Sequence, residues 1–520
     1  MEEHGSALVF HDAAGGVHFH GSRPPILNLP LEVLIRITAL LTTPELCAFR
    51  LTCRAVEELL YVTFTREFFY RKQFMIADIS LQALIDISKS RLGPHLRQVH
   101  FGLDRFPEGI QRALPDESKE RRFKQRYSDY FTLWNTGTHC AMLIEAFRNL
   151  ANLEEIVFRD SNSTRRTRDG PGTEWTSYGS TTIFNETGVR LIQGPTGVFD
   201  TALPLQGCSQ AFAVVLHALG AAGARPKGIQ IIARNGNHLR DFAFNVPQAV
   251  EPSVFPVLER LERLHLSIDL MWRSSFSGWG PWGHAAAASL DRPQTETRLL
   301  RRFLSRTTNL KDLRINEHHD YNPSLTELLD WLAGTPPAPG DTVPDDLDRY
   351  WPPPVELPHL ESLSLGIMNI GAKTVLQVVR KFAPRLQSLE LWKITLQRCL
   401  PPNSDPGDPP RNSFWFDFMN QLRQVPDLNL RHFKAGMLRQ AYMHRPKDYL
   451  VSFRKHGAEV QYTGPCWKDF VEEITPTLEV KWPRTITPEP GDSDSEDDSD
   501  GSMADMDDES EGAEDDEANE

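Results

Sequence analysis

No stretch of the sequence approaches the roughly 20 consecutive apolar residues that a bilayer-spanning helix requires, which excludes that class of membrane protein. The opening segment, MEEHGSALVF, begins with acids and has no cationic run leading into an apolar one, so no secretory signal is expected. Cysteine is scarce. Cys47, Cys53, Cys140, Cys208, Cys399 and Cys466 are the six in 520 residues, and none forms a C-x-x-C pair. That spacing excludes a zinc knuckle or a dithiol redox motif and fits reduced thiols in cytoplasm or nucleus. In such a compartment the N-x-[ST] matches at Asn162 and Asn185 are chance occurrences. The nucleophile-elbow, P-loop and H-E-x-x-H patterns are absent as well, and with them the usual sequence signs of hydrolase, nucleotide and zinc-protease chemistry.

Basic residues are missing from one region. From Glu489 to Glu520 there are 17 acids and no Lys or Arg. The chain's net charge of −14 is therefore local, because without this segment 53 acids face 56 bases. A nearly neutral remainder carries no electrostatic footprint for nucleic acid. Residues 488–520 hold few large apolar side chains and many like charges, and are expected to be a disordered acidic tail. Ser493, Ser495 and Ser502 each precede an acid by three positions, a pattern open to acid-directed phosphorylation or to a purely solubilising role.

What is present, with 40% hydrophobic and 24% charged residues, is ample material for a large core. Residues 1–25 show no periodicity and are expected to be a flexible leader. Beyond about residue 75, helix-like and strand-like runs alternate. LQALIDISKS (81–90) precedes LRQVHF (96–101), AMLIEAFRNL (141–150) precedes LEEIVF (153–158), and QAFAVVLHAL (210–219) precedes GIQIIA (228–233). TRLLRRFLSR (297–306) precedes LKDLRI (310–315), and TVLQVVRKFA (374–383) precedes LQSLEL (386–391). LERLHL (261–266) and LESLSL (360–365) share the strand form L-x-x-L-x-L. Helix–strand units in series predict a parallel sheet, since parallel strands need a crossover. The strand pattern is similar to that of leucine-rich repeats. Its starts at 261, 310, 360 and 386 are 49, 50 and 26 residues apart, however, so an irregular α/β solenoid is expected over 75–485. Loop insertions are expected near 159–207, 334–358 and 401–410.

Residues 24–61, PPILNLPLEVLIRITALLTTPELCAFRLTCRAVEELLY, read as three short helices. Val33, Leu34, Ile37 and Leu41 give the first an apolar stripe, with Asn28 and Pro30 suited to its start. Thr43-Pro44-Glu45 opens the second with a capping hydroxyl, a proline and an acid, and Leu46 and Phe49 form its buried face. Val56, Leu59 and Leu60 belong to the third. Helices this short are marginal alone, so the block needs a second surface, its own chain's or a partner's.

The block resembles an F-box through Leu29-Pro30-x-Glu32-Val33-Leu34, then Ile37, Leu46 and Arg50-Leu51-x-Cys53-Arg54. Val56 departs from the aromatic residue common in the family after the Cys-Arg pair. The resemblance implies an F-box module over 26–74 that binds the adaptor subunit of an SCF-type cullin-RING ubiquitin ligase. Leu29, Pro30, Glu32, Val33, Leu34 and Ile37 would lie at that interface. Leu46, Leu51 and Cys53 would combine contact with packing. The later helix–strand units are similar, more weakly, to fungal F-box proteins with degenerate leucine-rich repeats. The function so implied is substrate recognition, with no catalytic residue and no cofactor in this chain. Its partners would be the adaptor, through it a cullin, and an unknown target, but no nucleic acid or membrane. The rival reading is an interaction scaffold that joins no ligase.

Two patterns imitate other chemistry. Gly278-Trp279-Gly280-Pro281-Trp282-Gly283 matches G-x-G-x-x-G but does not sit directly between a strand and a helix. A Trp-rich loop is expected there, and Trp272, Trp279 and Trp282 are candidate target contacts. Glu317-His318-His319-Asp320 has metal-ligand residue types, but neighbouring residues on a strand point to opposite faces, so a solvated loop and no metal are expected.

Overall fold

Because each crossover in this chain carries a helix, successive strands come to lie parallel and side by side in chain order. The computed structural model describes residues 9–11, 17–19, 25–107, 116–162, 168–170, 173–193, 207–270, 297–317, 323–336, 351–401, 410–443 and 447–482. The fold is that of the unit Met1–Lys481; of a second unit, Trp482–Glu520, only Trp482 is described. The acidic tail, Trp272, Trp279, Trp282 and His318 to Asp320 lie outside the described residues. Among the described residues no helix is long and apolar enough to cross a membrane.

Near the N-terminus, where the sequence shows no periodicity, β1 (Val9–His11) and β2 (Val17–Phe19) pair antiparallel. Four helices follow: α1 (Leu31–Ala39), α2 (Thr43–Arg50), α3 (Arg54–Leu59) and α4 (Tyr61–Phe69). This is one helix more than the sequence pattern indicates, because the run after Leu60 winds into a separate element. The chain then enters a sheet of thirteen strands. Its parallel part runs β3 (Arg71–Met75), β4 (Gln98–Gly102), β5 (Glu155–Arg159), β6 (Gly228–Ile232), β7 (Arg263–Ile268), β8 (Asp312–Glu317), β9 (Ser362–Gly371) and β10 (Ser388–Arg398). The first strand thus begins inside the range 26–74 assigned to the helical block, and Phe74 is buried in the sheet's core instead of the module's.

Every strand expected from the L-x-x-L-x-L pattern is present, and each expected helix precedes its strand. In register, Ile156, Ile229, Leu264, Leu313, Leu363 and Leu389 form one apolar row; Phe158 with Ile231, and Leu266 with Ile315, Leu365 and Leu391, form two segments of a second. Both rows are buried with residues of the helices Asp78–Lys89, Cys208–Ala222, Ala372–Phe382 and Phe414–Arg423 in one continuous core. The residues between them project to the other face, as the two-residue period of a strand demands.

The start of each strand accepts a backbone hydrogen bond from its neighbour, and the residues at this rung alternate in charge. Arg97, Glu154, Lys227, Glu262, Lys311 and Glu361 follow one another across six strands. Exposed pairs such as Lys311–Glu262, 3.0 Å apart, contribute little individually. The alternation instead favours this order of neighbours, because a like charge opposite any rung would repel.

The two ends of the sheet are finished differently. Tyr178 N–H donates 2.9 Å to Gln73 O and pairs with Phe74, so the insertion after β5 covers the β3 edge. That insertion, expected as a polar loop over 159–207, also contains the helix Ser180–Thr187. At the other end, β11 (His432–Gly436) and β12 (Arg439–Tyr442) extend β10 in parallel. β13 (Asp448–Phe453), β14 (Glu459–Thr463) and β15 (Leu478–Val480) then cap the sheet antiparallel. The bridge at Phe74 blunts the β3 edge against pairing with other chains, while β14 and β15 are the outer strands at the other end.

One irregularity crosses three strands. Ile367, Lys393 and Met437 have φ of 54°, 53° and 52°, and they stand at matching places in β9, in β10 and between β11 and β12. All three strands gain the extra residue together, so pairing resumes in register with Met368 opposite Ile394. The left-handed region costs a non-glycine residue about 1 kcal/mol or more. Lys393 is exposed, so glycine there removes that cost without opening a cavity. Lys393→Gly is expected to raise the free energy of unfolding by about 0.5–1 kcal/mol, opposite in sign to glycine elsewhere in a strand. Urea unfolding of the variant and the parent measures the difference.

Candidate functional site

The four N-terminal helices enclose a small core of Leu34, Leu46, Val56, Leu60 and Phe68, bordered by Ile26, Leu27, Leu41, Phe49, Phe64 and Phe69. Pro30 stands at the N-terminus of α1 with φ −53° and ψ 145°, pre-set for the turn into the helix. The cap of α2 is Thr42, one residue before the hydroxyl expected to serve. The Glu45 carboxylate accepts the Thr42 N–H at 2.9 Å and its hydroxyl at 2.8 Å, which keeps Glu45 below its ordinary pKa. Arg50 lies 3.3 Å from the Phe64 ring centroid and 2.9 Å from Glu57, joining α2 to α3 and α4.

Many of the module's large apolar side chains are left exposed. Fifteen large hydrophobic residues are exposed among the described residues, and eight fall between 29 and 62: Leu29, Leu31, Val33, Ile37, Leu40, Leu51, Leu59 and Val62. Leu40 and Leu51 are 87% and 85% exposed. On α1 the spacing of Val33, Ile37 and Leu40 sets them along one stripe. Exposed apolar side chains at this density are unusual on so small a module.

The sequence-derived candidates divide in two. Leu29, Pro30, Glu32, Val33, Ile37, Leu51 and Cys53 are exposed on this module, as an interface requires. Leu34 and Leu46 are not available for contact, being 1% and 4% exposed in the core. Val33 and Leu34 are adjacent in a helix and so differ by about 100°, which sends one outward and one inward. The stripe read from the sequence is therefore two stripes: Leu34 with Leu41 within, Val33 with Ile37 without. Leu31, Leu40, Leu59 and Val62 were not among the interface candidates, although Leu40 lies three residues from Ile37 and could have been found by extending the outer stripe.

A second surface is the sheet face opposite the helices, where charged side chains pair across strands. Glu155 accepts from Gln230 at 2.7 Å and pairs with Arg263 at 3.1 Å; Arg263 and His265 meet Asp312 at 3.3 and 2.9 Å. Arg314 bonds Glu390 at 2.9 Å, and His432 is 3.6 Å from the same carboxylate. Beyond this ladder the Trp392 ring lies over Gly436, where an added Cβ would be 2.3 Å from a ring carbon, and the Lys434 ammonium is 4.8 Å from the ring centroid. Glu317 is buried at the end of β8, away from this face.

Residues 26–60 match the family model for the F-box domain. A comparison with curated proteins finds no match to the chain.

Two measurements check the geometry. Leu34→Ala leaves a cavity in the module core and is expected to cost about 2–5 kcal/mol of module stability, whereas Leu51→Ala on the exposed surface changes it by less than about 0.5 kcal/mol. Thermal unfolding of both variants separates core from surface. The second concerns Glu390. Burial pushes its carboxyl up, but His432, Arg314 and Ser364 more than offset this and hold it at about 2 against 4.5. The stabilisation is complete above about pH 4.5 and is lost as pH falls toward 2, where the folded state also takes up the proton. Glu390→Gln is expected to flatten the acid limb of stability by up to about 1.4 kcal/mol per pH unit in that window, read from urea midpoints against pH.

Proposed function

Since the chain is an F-box protein, carrying that domain at residues 26–60, we propose that it is the substrate-recognition subunit of an SCF-type cullin-RING ubiquitin ligase. The concentration of exposed Leu, Val and Ile on a module whose own core is already filled carries this reading. The adaptor covers the surface of Leu29, Pro30, Glu32, Val33, Ile37, Leu51 and Cys53, to which Leu31, Leu40, Leu59 and Val62 are added; Leu34 and Leu46 hold the surface in shape from beneath. Through the adaptor the chain reaches a cullin. The helix–strand region, read as an irregular leucine-rich-repeat-like solenoid, binds the target.

Within that region the polar face of the sheet supports target capture. It is a rigid array of charged and aromatic groups, including Arg263, Asp312, Arg314, Trp392 and Lys434, on strands that the helical layer leaves uncovered. The mechanism is proximity: a target held here is presented to the ubiquitin-loaded enzyme of the assembled complex at high effective concentration. The chain contributes binding and position, and the bond-forming chemistry belongs to its partners.

Ile37→Asp with Leu51→Asp places two charges in the apolar surface. It is expected to weaken adaptor binding by more than 100-fold, while circular dichroism of the variant matches the parent. The measurement is a pull-down of purified SCF adaptor, followed by titration. Equal binding of parent and variant removes this surface from the interface. A parent that never binds the adaptor, and never co-purifies a cullin, leaves the non-ligase scaffold as the reading.

A further inference from the structure

The F-box module is tied to the sheet domain by more than the chain that runs from α4 into β3. Two residues of the insertion after β5, Arg168 and Asp169, reach back across it. The Arg168 guanidinium bonds both oxygens of Glu67 on α4, at 2.5 and 2.7 Å. It also donates to Thr38 O at 2.5 Å, in the last turn of α1, and to Leu41 O at 2.7 Å, just beyond that helix. Asp169 accepts the Thr43 N–H and the Thr43 hydroxyl, each at 2.6 Å, at the positive end of α2. Six hydrogen bonds from adjacent residues thus grip three helices of the module.

The grip is built for rigidity. The Arg168 side chain is 12% exposed, and a planar guanidinium with five fixed donors orients its partners better than a flexible ammonium. The same insertion is anchored at its other end on the sheet, where Tyr178 pairs with Phe74 and Ser177 bonds Gln73 at 2.9 Å. A second joint stands elsewhere: Tyr61 of α4 donates to Arg91 O at 2.7 Å, and its ring meets that of His95 edge-on at 5.4 Å. A module held by one covalent passage and one joint could still rock; a third point removes that freedom.

We propose that Arg168 and Asp169 are positioning residues: they brace the F-box module at a fixed angle to the sheet's polar face, and so set where a target bound on that face stands relative to the ligase. The consequence for ubiquitin transfer rests on the function proposed above; the brace itself does not. Neither residue lies among the exposed apolar side chains assigned to the adaptor, so the brace and the adaptor surface can be tested apart.

The experiment uses the full chain. Spin labels are attached at Glu58→Cys, an exposed position of α3 outside the residues assigned to the adaptor, and at the native Cys399 beyond β10, with Cys47, Cys53, Cys140 and Cys466 replaced by Ser, while adaptor affinity is measured on unlabelled chains with their native cysteines; Cys208 is buried, which raises its pKa and leaves it unreactive. Pulsed electron paramagnetic resonance then gives the distribution of distances between them. The parent is expected to show one narrow distribution, and Arg168→Ala with Asp169→Ala a distribution at least twice as wide. Adaptor affinity should stay within about twofold, which shows the module still folded. Glu67→Ala should broaden the distribution on its own. Combined with Arg168→Ala it should broaden it no further than Arg168→Ala alone, since both remove one link. Unchanged width in the double variant, or additive broadening by Glu67→Ala and Arg168→Ala, overturns the brace. In a reconstituted ligase the double variant should also slow ubiquitination of the chain's own lysines at least threefold at unchanged adaptor occupancy; an unchanged rate overturns the positioning role. If the parent fails to bind adaptor while the distance results hold, the proposed function falls and the brace stands.

Discussion

The structure depends on one constraint: the strands from β4 to β10 present their main apolar row to the helices, and that face must be covered. The crossover helices cover it, and the buried row from Ile156 to Leu389 passes unbroken from unit to unit. Burying such side chains contributes about 1.5–3 kcal/mol each, which is what holds helix to strand in every unit. The same constraint leaves the opposite face without a hydrophobic partner. Its residues must be polar, and when partly buried they must be paired, which is why Glu155, Arg263, Asp312, Arg314 and Glu390 form a ladder across the strands. Core and candidate binding face are thus two sides of one alternating pattern.

The N-terminal module obeys the opposite balance. Four helices totalling little more than thirty residues cannot enclose all their apolar side chains, and Leu34, Leu46, Val56, Leu60 and Phe68 are what they bury. The remainder is presented outward. The module therefore leans on polar joints with the sheet domain, Glu57 with Arg91 and the Arg168–Asp169 grip, which orient it without covering its apolar surface. Among the described residues, Leu40 and Leu51 remain two of the most exposed large hydrophobic side chains.

How much of this was legible follows from what each pattern can encode. The helix–strand alternation was, because a period of two in L-x-x-L-x-L and a period near 3.6 in runs such as LQALIDISKS are distinct signals. The F-box motif was, because its residues are local in sequence. The inside and outside of α1 were not: Val33 and Leu34 are equally apolar, and only the packing of α2 and α3 decides which turns inward. Strand β3 was not, because RKQFM joins a sheet whose other members come later in the chain. The bulge row was not, because Ile367, Lys393 and Met437 are residues that rarely take positive φ, and tertiary pairing across three strands overrides their preference. The grip on the module was not, because Arg168 and Asp169 lie more than 100 residues from the groups they bind.

The two candidate surfaces differ in chemistry, and this bears on how each would recognise a partner. An apolar surface of Leu, Ile and Val gains affinity by exclusion of water and discriminates weakly by itself, which suits a partner common to many proteins. A polar face whose charges are already paired offers little to a random surface. A bound segment must either leave the partners of Glu390 and Glu155 intact or supply equivalent bonds at their positions, since a buried carboxylate left unpaired is costly. Most surfaces cannot meet that demand, and rejection of those that fail is where selectivity arises. The alternating charges at the strand entries strengthen the effect by opposing any sliding of one strand past the next, so the spacing of the charged groups is held constant. Rigid spacing on one face, and a sticky but unselective surface on a module held at a fixed distance from it, are complementary properties in a single chain.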